Sequence, residues 1–230
     1  SLPWQAGITG IAYNQNLTGR DFTSIAYLFT PEVKGRVALL TEMRDTVGLI
    51  MAMQGNDPSV LDEDAAMDAI DFIEQQTRAG QIRAFTGNEY LDGLRRGDYA
   101  ACLDWSGDVV QLQYERDDIQ FVIPEEAGMS WYDAMVIPKG APNGLAAAEF
   151  MNFVYDPVQA AQLTYWVQFI SPVKGVRDEL IKMGGDAAEL AESQILFPAE
   201  ETSMRLRTFA SLPQDVEARI NDRFLNVMGS

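Results

Sequence analysis

An α/β fold is the class the sequence predicts, and three observations predict it. Short apolar runs alternate with helical patterns through roughly the first 140 residues, as a sheet covered by helices requires. Beyond that point the pattern is almost wholly helical. Hydrophobic residues make up 47% of 230, enough for one large core or two smaller ones.

The first strand candidate is "GITGIAYN" (7–14), followed by "GRVALLT" (35–41). A helix over "RDTVGLIMAMQG" stops at Gly55, which tolerates the left-handed turn that ends a helix. The next helix, "DEDAAMDAIDFIEQQTRAG", opens on acids and closes on Arg78 and Gly80, as the helix dipole favours. Strand "IRAFTG" (82–87), helix "NEYLDGLRRG", strand "YAACLDW" (99–105) and helix "GDVVQLQYER" follow. Two further strand candidates are "IQFVIP" (119–124) and "DAMVIP" (133–138). Then come helices over "GLAAAEFMNFVYD", "DPVQAAQLTYWVQF", "VRDELIKMGG" and "DAAELAESQI", with two more towards the end. Pro157 suits a first helical turn, where its missing N–H is not needed. "APNG" (141–144) and "SPVKG" (171–175) read as loops.

Composition excludes several function classes. Acidic residues number 34 against 17 basic ones, with no histidine, for a net charge of −17. A nucleic-acid partner needs a basic face, which this chain does not supply. Such acidity suits a cationic ligand and equally suits plain solubility. Cys102 is the single cysteine, so no intramolecular disulfide or cysteine metal cluster is expected, and its apolar setting reads as core. No stretch approaches the ~20 apolar residues of a membrane span, and the opening "SLPWQAGITGIAYN" reads as ordered protein rather than a signal peptide. A processed or truncated product is expected from that opening. There is no G-x-S-x-G, G-x-G-x-x-G or P-loop motif, and a histidine triad is impossible. No catalytic residues, no cofactor and no metal are expected. A carboxylate-dependent hydrolase is the remaining enzymatic alternative.

Ligands of open α/β sheets bind beyond the carboxyl ends of strands, and three clusters fall at such edges. In "LLTEMRD", Glu42 and Asp45 are three apart and share a face of a first helical turn. They read either as a ligand pair or as acids capping a helix. In "LDWSGD", Trp105 ends a strand and Asp108 opens the next helix. Trp105 reads as core or as a stacking face, and Asp108 as an N-cap or a ligand acid. Asp104 should point away from Trp105. In "GMSWYDAMVIP", Trp131 and Asp133 share one side of an extended segment, while Tyr132 should face away into packing. A ring and a carboxylate on one side make half of an ammonium cage; the alternative is a buried Trp and a solvated Asp.

"PWQAGITGIAYN", "LFTPEVKGRVALLTEMRD", "LDWSGD", "GMSWYDAMVIP" and "EFMNFVYDPVQAAQLTYWVQFISPV" resemble, in order and spacing, the bacterial periplasmic polyamine-binding proteins of spermidine/putrescine ABC transporters. The resemblance implies a type II periplasmic-binding-protein-like fold of two α/β lobes clamping ligand between them. It also implies that roughly the first hundred residues of a typical member are absent. The second lobe, complete, would be 9–131 with 178–230. The first, truncated, would be 1–8 with 132–177. Crossings would lie near Gly7–Ile11, Trp131–Ala134 and Ser171–Arg177.

By motif, the ligand residues carried over are Glu42, Asp45, Trp105, Asp108, Trp131, Asp133 and Phe169. Glu42 and Asp45 reverse the order usual in the family, and Phe169 stands where a Tyr is frequent. Arg205 and Arg207 have no role assigned. The implied partners are a polyamine and the permease subunits of an ABC transporter, with no nucleic acid and no membrane insertion by this segment. The implied location is periplasmic or extracytoplasmic, with a lipid anchor through a missing N-terminus as an option. Another cationic or small organic solute is the alternative ligand. With its first lobe cut short, the fragment is expected to bind polyamines weakly or not at all.

Overall fold

Within residues 1–229, which the computed structural model describes, strand β1 (Leu2–Asn14) opens the chain and a short helix α1 (Gln15–Thr18) follows. Then come β2 (Val37–Leu40), α2 (Met43–Met53), α3 (Glu63–Arg78), β3 (Ile82–Thr86), α4 (Tyr90–Arg96), β4 (Ala101–Trp105), α5 (Ser106–Gln113), β5 (Ile119–Val122) and β6 (Gly128–Met135). The remainder is α6 (Gly144–Val154), α7 (Pro157–Val167), α8 (Val176–Met183), α9 (Gly185–Leu190), α10 (Glu200–Met204), β7 (Leu206–Arg207) and α11 (Gln214–Met228).

The strands form one sheet in the order β3-β2-β4-β1-β6-β7, with β5 also pairing β1. β2 runs parallel to β3 and β4, while β1 runs antiparallel to β4 and β5. All four residues of β2, "VALL", are buried, as expected of a parallel strand covered on both faces. The helix limits follow from local chemistry. Asp62 caps α3 by accepting from the Ala65 N–H at 3.0 Å, and Arg78 closes it. Asp156 caps α7, with Pro157 in its first turn.

The last strand candidate is displaced. β6 covers 128–135 rather than 133–138, because Gly128 and Met129 pair in parallel with Leu206 and Arg207 of β7. A two-residue partner strand leaves no alternation in the sequence to read.

Packing divides the chain into two compact units. The larger holds Ile8–Ser130 and the chain from Met204 onward; its core gathers Phe22, Ile50, Tyr90 and Phe224 around the sheet. The smaller holds Ser1–Gly7 and Trp131–Ser203, with a core of Ala160, Ala161, Val176 and Leu180 backed by Tyr165 and Phe197. Residues 178–203, read from the sequence as part of the second lobe, cluster here with the smaller unit instead. Leu180, Ala187 and Ala191 from α8 and α9 pack on Ala160 and Ala161 of α7, so the chain passes between units at 203–204 rather than within 171–177. Leu145, Phe150, Phe153 and Trp166, on α6 and α7 of that unit, are exposed.

Candidate ligand-binding site

In the larger unit, Glu42 stands at the N-cap of α2 and Asp45 lies in its first turn. Glu42 is exposed; its Oε1 accepts from the Arg44 N–H at 3.4 Å and lies 3.9 Å from the Arg44 guanidinium. That guanidinium also bonds Glu217 of α11. Asp45, by contrast, is only 4% exposed. It accepts from the Trp105 indole N–H at 2.9 Å and is hydrogen-bonded by Thr9 of β1. Burial raises its carboxyl to about 6 against the pull of those two bonds, and the nearby Glu42 charge adds to the rise. The two acids thus differ: one solvated cap, one sheltered acid poised close to neutrality.

Trp105 ends β4 at the N-cap position of α5, half-buried, with its ring edge-on to Tyr90 at 5.9 Å. Asp108 sits in the first turn of α5 rather than at its cap. Its Oδ2 accepts from the Tyr90 hydroxyl at 2.6 Å and from the Asn88 amide at 2.8 Å. Ser106, at the start of that helix, instead anchors β1 by accepting from the Ile8 N–H at 3.2 Å. Asp45, Trp105 and Asp108 are therefore connected through the indole and Tyr90, while Glu42 reaches Asp45 only through its charge. Sequence reasoning missed Thr9, Asn88, Tyr90 and Asp104. Tyr90 and Asn88 were read only as parts of a helix, and nothing in a 3.6-residue period reveals where a phenol hydroxyl ends. Asp104 is fully buried on β4.

In the smaller unit, Trp131 and Asp133 lie on β6, and Phe169 follows α7. The Trp131 and Phe169 rings meet at 5.7 Å, tilted by 55°. Gly7 makes room for that indole, since a Cβ there would sit 2.3 Å from Trp131 Cζ2. Gln168 takes a left-handed φ of 57°, which ends α7. Ala6 and Ile170 then exchange two backbone bonds of 2.9 Å, fixing Phe169 beside β1. Asp133 is exposed. Tyr132 does not face into packing as its alternation implied: it is 68% exposed, because β6 presents both sides to solvent over residues 132–134.

Arg205 and Arg207 belong to the larger unit and are held locally. Arg205 donates to the Ile123 and Pro124 carbonyls, and Arg207 to those of Met204 and Leu206, with Asp57 3.7 Å away. Among the described residues no group of three or more Asp, Glu or Cys could hold a metal ion, and no helix is long and apolar enough to cross a membrane.

Acids beside rings at strand ends suit recognition of an organic cation. Residues 1–191 match the family of bacterial extracellular solute-binding proteins. The chain belongs to that family. It is similar to the spermidine/putrescine-binding periplasmic protein 1 of Haemophilus influenzae, at 26% identity over 202 residues, covering 87% of this chain and 54% of the relative. It is also similar to the spermidine/putrescine-binding periplasmic protein of Escherichia coli, at 25% over 203 residues, covering 88% and 56%. Among solved structures, a Listeria monocytogenes protein assigned to a spermidine/putrescine ABC transporter superposes with a TM-score of 0.87. It is 25% identical and covers 99% of this chain and 68% of that one. The mixed α/β architecture is thus of the periplasmic-binding-protein type. The chain spans a little over half the length of the curated relatives it matches.

Proposed function

We propose that this chain captures a polyamine, putrescine or spermidine, outside the cytoplasm and serves the permease of an ABC transporter. The observation that carries the reading is the patch in which Asp45 bonds the Trp105 indole and Asp108 is tied to it through Tyr90. A polyamine is a row of ammonium groups separated by methylenes. Its complement is a row of carboxylates separated by flat apolar faces, which supply charge-assisted bonds and cation–π attraction. Each sheltered ammonium needs an anion, since an unpaired buried charge costs several kcal/mol.

The role of each residue follows from its surroundings. Asp108, half-buried and already braced by Tyr90 and Asn88, is the amine acceptor held most firmly. Asp45 is the acceptor whose charge an arriving ammonium would favour, because burial has already weakened its hold on that charge. Glu42 adds a solvated charge at the rim. Trp131, Phe169 and Asp133 form a second set of rings and acid offering the same chemistry. The names of the relatives from Haemophilus influenzae and Escherichia coli support the choice of polyamine among cations. The reading of the two units as lobes of such a receptor belongs to the same proposal.

Isothermal titration of putrescine and spermidine into the protein at its natural length tests the reading, with 1,4-butanediol as the uncharged control. Saturable heat is expected from the amines and none from the diol. Because an ammonium next to Asp45 expels its proton, affinity is expected to weaken as pH falls through about 6. Absence of binding by both amines, or equal binding of the diol, refutes the proposal.

A further inference from the structure

The loop "APNG" (141–144) holds a reactive pair that the ligand patch does not use. Asn143 is the only asparagine of the chain followed by glycine. Each of the others precedes Gln, Leu, Asp, Glu, Phe or Val, whose Cβ crowds the backbone nitrogen next to the amide. Gly144 has no Cβ, so its nitrogen is open to approach and its backbone turns readily.

The fold keeps this pair accessible. Asn143 is exposed and stands at the N-cap of α6, with φ −118° and ψ 39°. Its side chain makes no capping bond, unlike Asp62 and Asp156 at the heads of α3 and α7. The side-chain amide is therefore not committed to the helix. Gly144 is the first residue of α6, where a backbone N–H has no partner within the helix. The Asn143 carbonyl does accept from the Ala147 N–H at 3.0 Å, but in the terminal turn, which frays most readily. Packing does not lock the turn either: a Cβ built on Gly144 would meet Ile137 Cγ2 at 3.8 Å, an ordinary contact.

We propose that Asn143 is a site of spontaneous deamidation, with water as the co-reactant. Base takes the proton from the Gly144 amide nitrogen, which attacks Asn143 Cγ. The new N–Cγ bond closes a succinimide ring; the Cγ–Nδ2 bond breaks, and the nitrogen leaves with a proton as ammonia. Water then adds at either ring carbonyl and opens the ring to aspartate or isoaspartate. Each product carries one more negative charge than the parent, and no electron is transferred. Aspartate gives α6 the acidic cap it lacks, which the helix dipole favours. Isoaspartate instead places an extra methylene in the backbone at the head of the helix.

The chain contains its own control. Asp92–Gly93 could close the same ring, yet Gly93 is buried within α4, and a Cβ there would lie 2.2 Å from the Tyr99 ring. The Gly93 carbonyl accepts from the Asp98 N–H at 2.8 Å, and the Asp92 carboxylate accepts from Arg95 at 2.8 Å. That pair should stay unreacted.

Ageing the folded protein at mildly alkaline pH, followed by peptide mass mapping, tests the inference. A gain of about 1 Da is expected at Asn143, faster as pH rises, with one heavy oxygen incorporated when the solvent is oxygen-18 water. Isoaspartate, read by methylation with a protein isoaspartyl methyltransferase, is expected at 143 and not at 92. Asn143→Ser should abolish the change, and Gly144→Ala should slow it at least about tenfold while circular dichroism shows the helices intact. An unchanged mass at Asn143, equal rates in Gly144→Ala and the parent, or faster gain at Asn56 or Asn88 overturns the proposal. None of these readouts depends on polyamine binding.

Discussion

A single carboxyl, Asp45, carries a stability cost that depends on pH. Its folded value of about 6 lies above the ordinary carboxylate value of 3.8, so the folded chain holds this proton more tightly than the unfolded chain does. The stabilisation from that proton is complete below about pH 4 and is lost as pH rises through about 6. Asp45→Asn removes the dependence while keeping an acceptor for the Trp105 indole. The variant is expected to match the parent near pH 4 and to exceed its stability at pH 7.5 by up to about 3 kcal/mol, as measured by urea unfolding. Parallel stability–pH profiles for the two chains would contradict this account. The sequence showed both acids of "EMRD" but left open whether they cap or bind. Glu42 does cap α2, whereas Asp45 is sheltered by an indole and a threonine from strands far away in the chain. Spacing along one helix carries no information about such partners. The same limit hid Tyr90 and Asp104.

At the scale of elements, helices were legible because their ends are written in capping chemistry, as at Asp62 and Asp156. β6 and β7 were not, since their pairing depends on residues more than seventy positions apart and spans two rungs. Nor could the sequence say that α8 and α9 pack on α7 rather than in the larger core, because small alanines give little signal of which neighbour they suit. In the larger unit, α11 covers α3 with two kinds of contact. Phe224 is buried, edge-on to Phe85 of β3 at 5.9 Å, while Arg219 reaches Glu63 at 2.7 Å on the surface. Apolar burial should dominate here. Phe224→Ala is expected to cost about 3–5 kcal/mol, and Arg219→Ala should leave the unfolding midpoint almost unmoved. Thermal melts of the two variants would show the order, and a larger loss in Arg219→Ala would reverse the assignment.

For the whole molecule, the net charge of −17 acts before any contact is made. Its field draws a polycation from a distance, and salt shortens that reach from about 30 Å at 0.01 M to about 8 Å at 0.15 M. Polyamine association is expected to slow severalfold over that range while dissociation changes little, a split that stopped-flow fluorescence of the tryptophans resolves. A salt effect confined to dissociation would assign the attraction to local pairs instead. The α/β alternation was readable because the buried strands are continuous apolar runs, as in "VALL". The division into units was less readable, since chain crossings leave no compositional mark.

Cys102 has a practical consequence. Its thiol is sealed within β4, and burial holds it well above the usual thiol range. The thiolate needed for alkylation is therefore neither accessible nor appreciably formed. A second cysteine, substituted for the solvent-facing Tyr132 on β6, would take a maleimide dye alone. The native background thus already suits a site-specific optical reporter, with no prior removal of the natural sulfur.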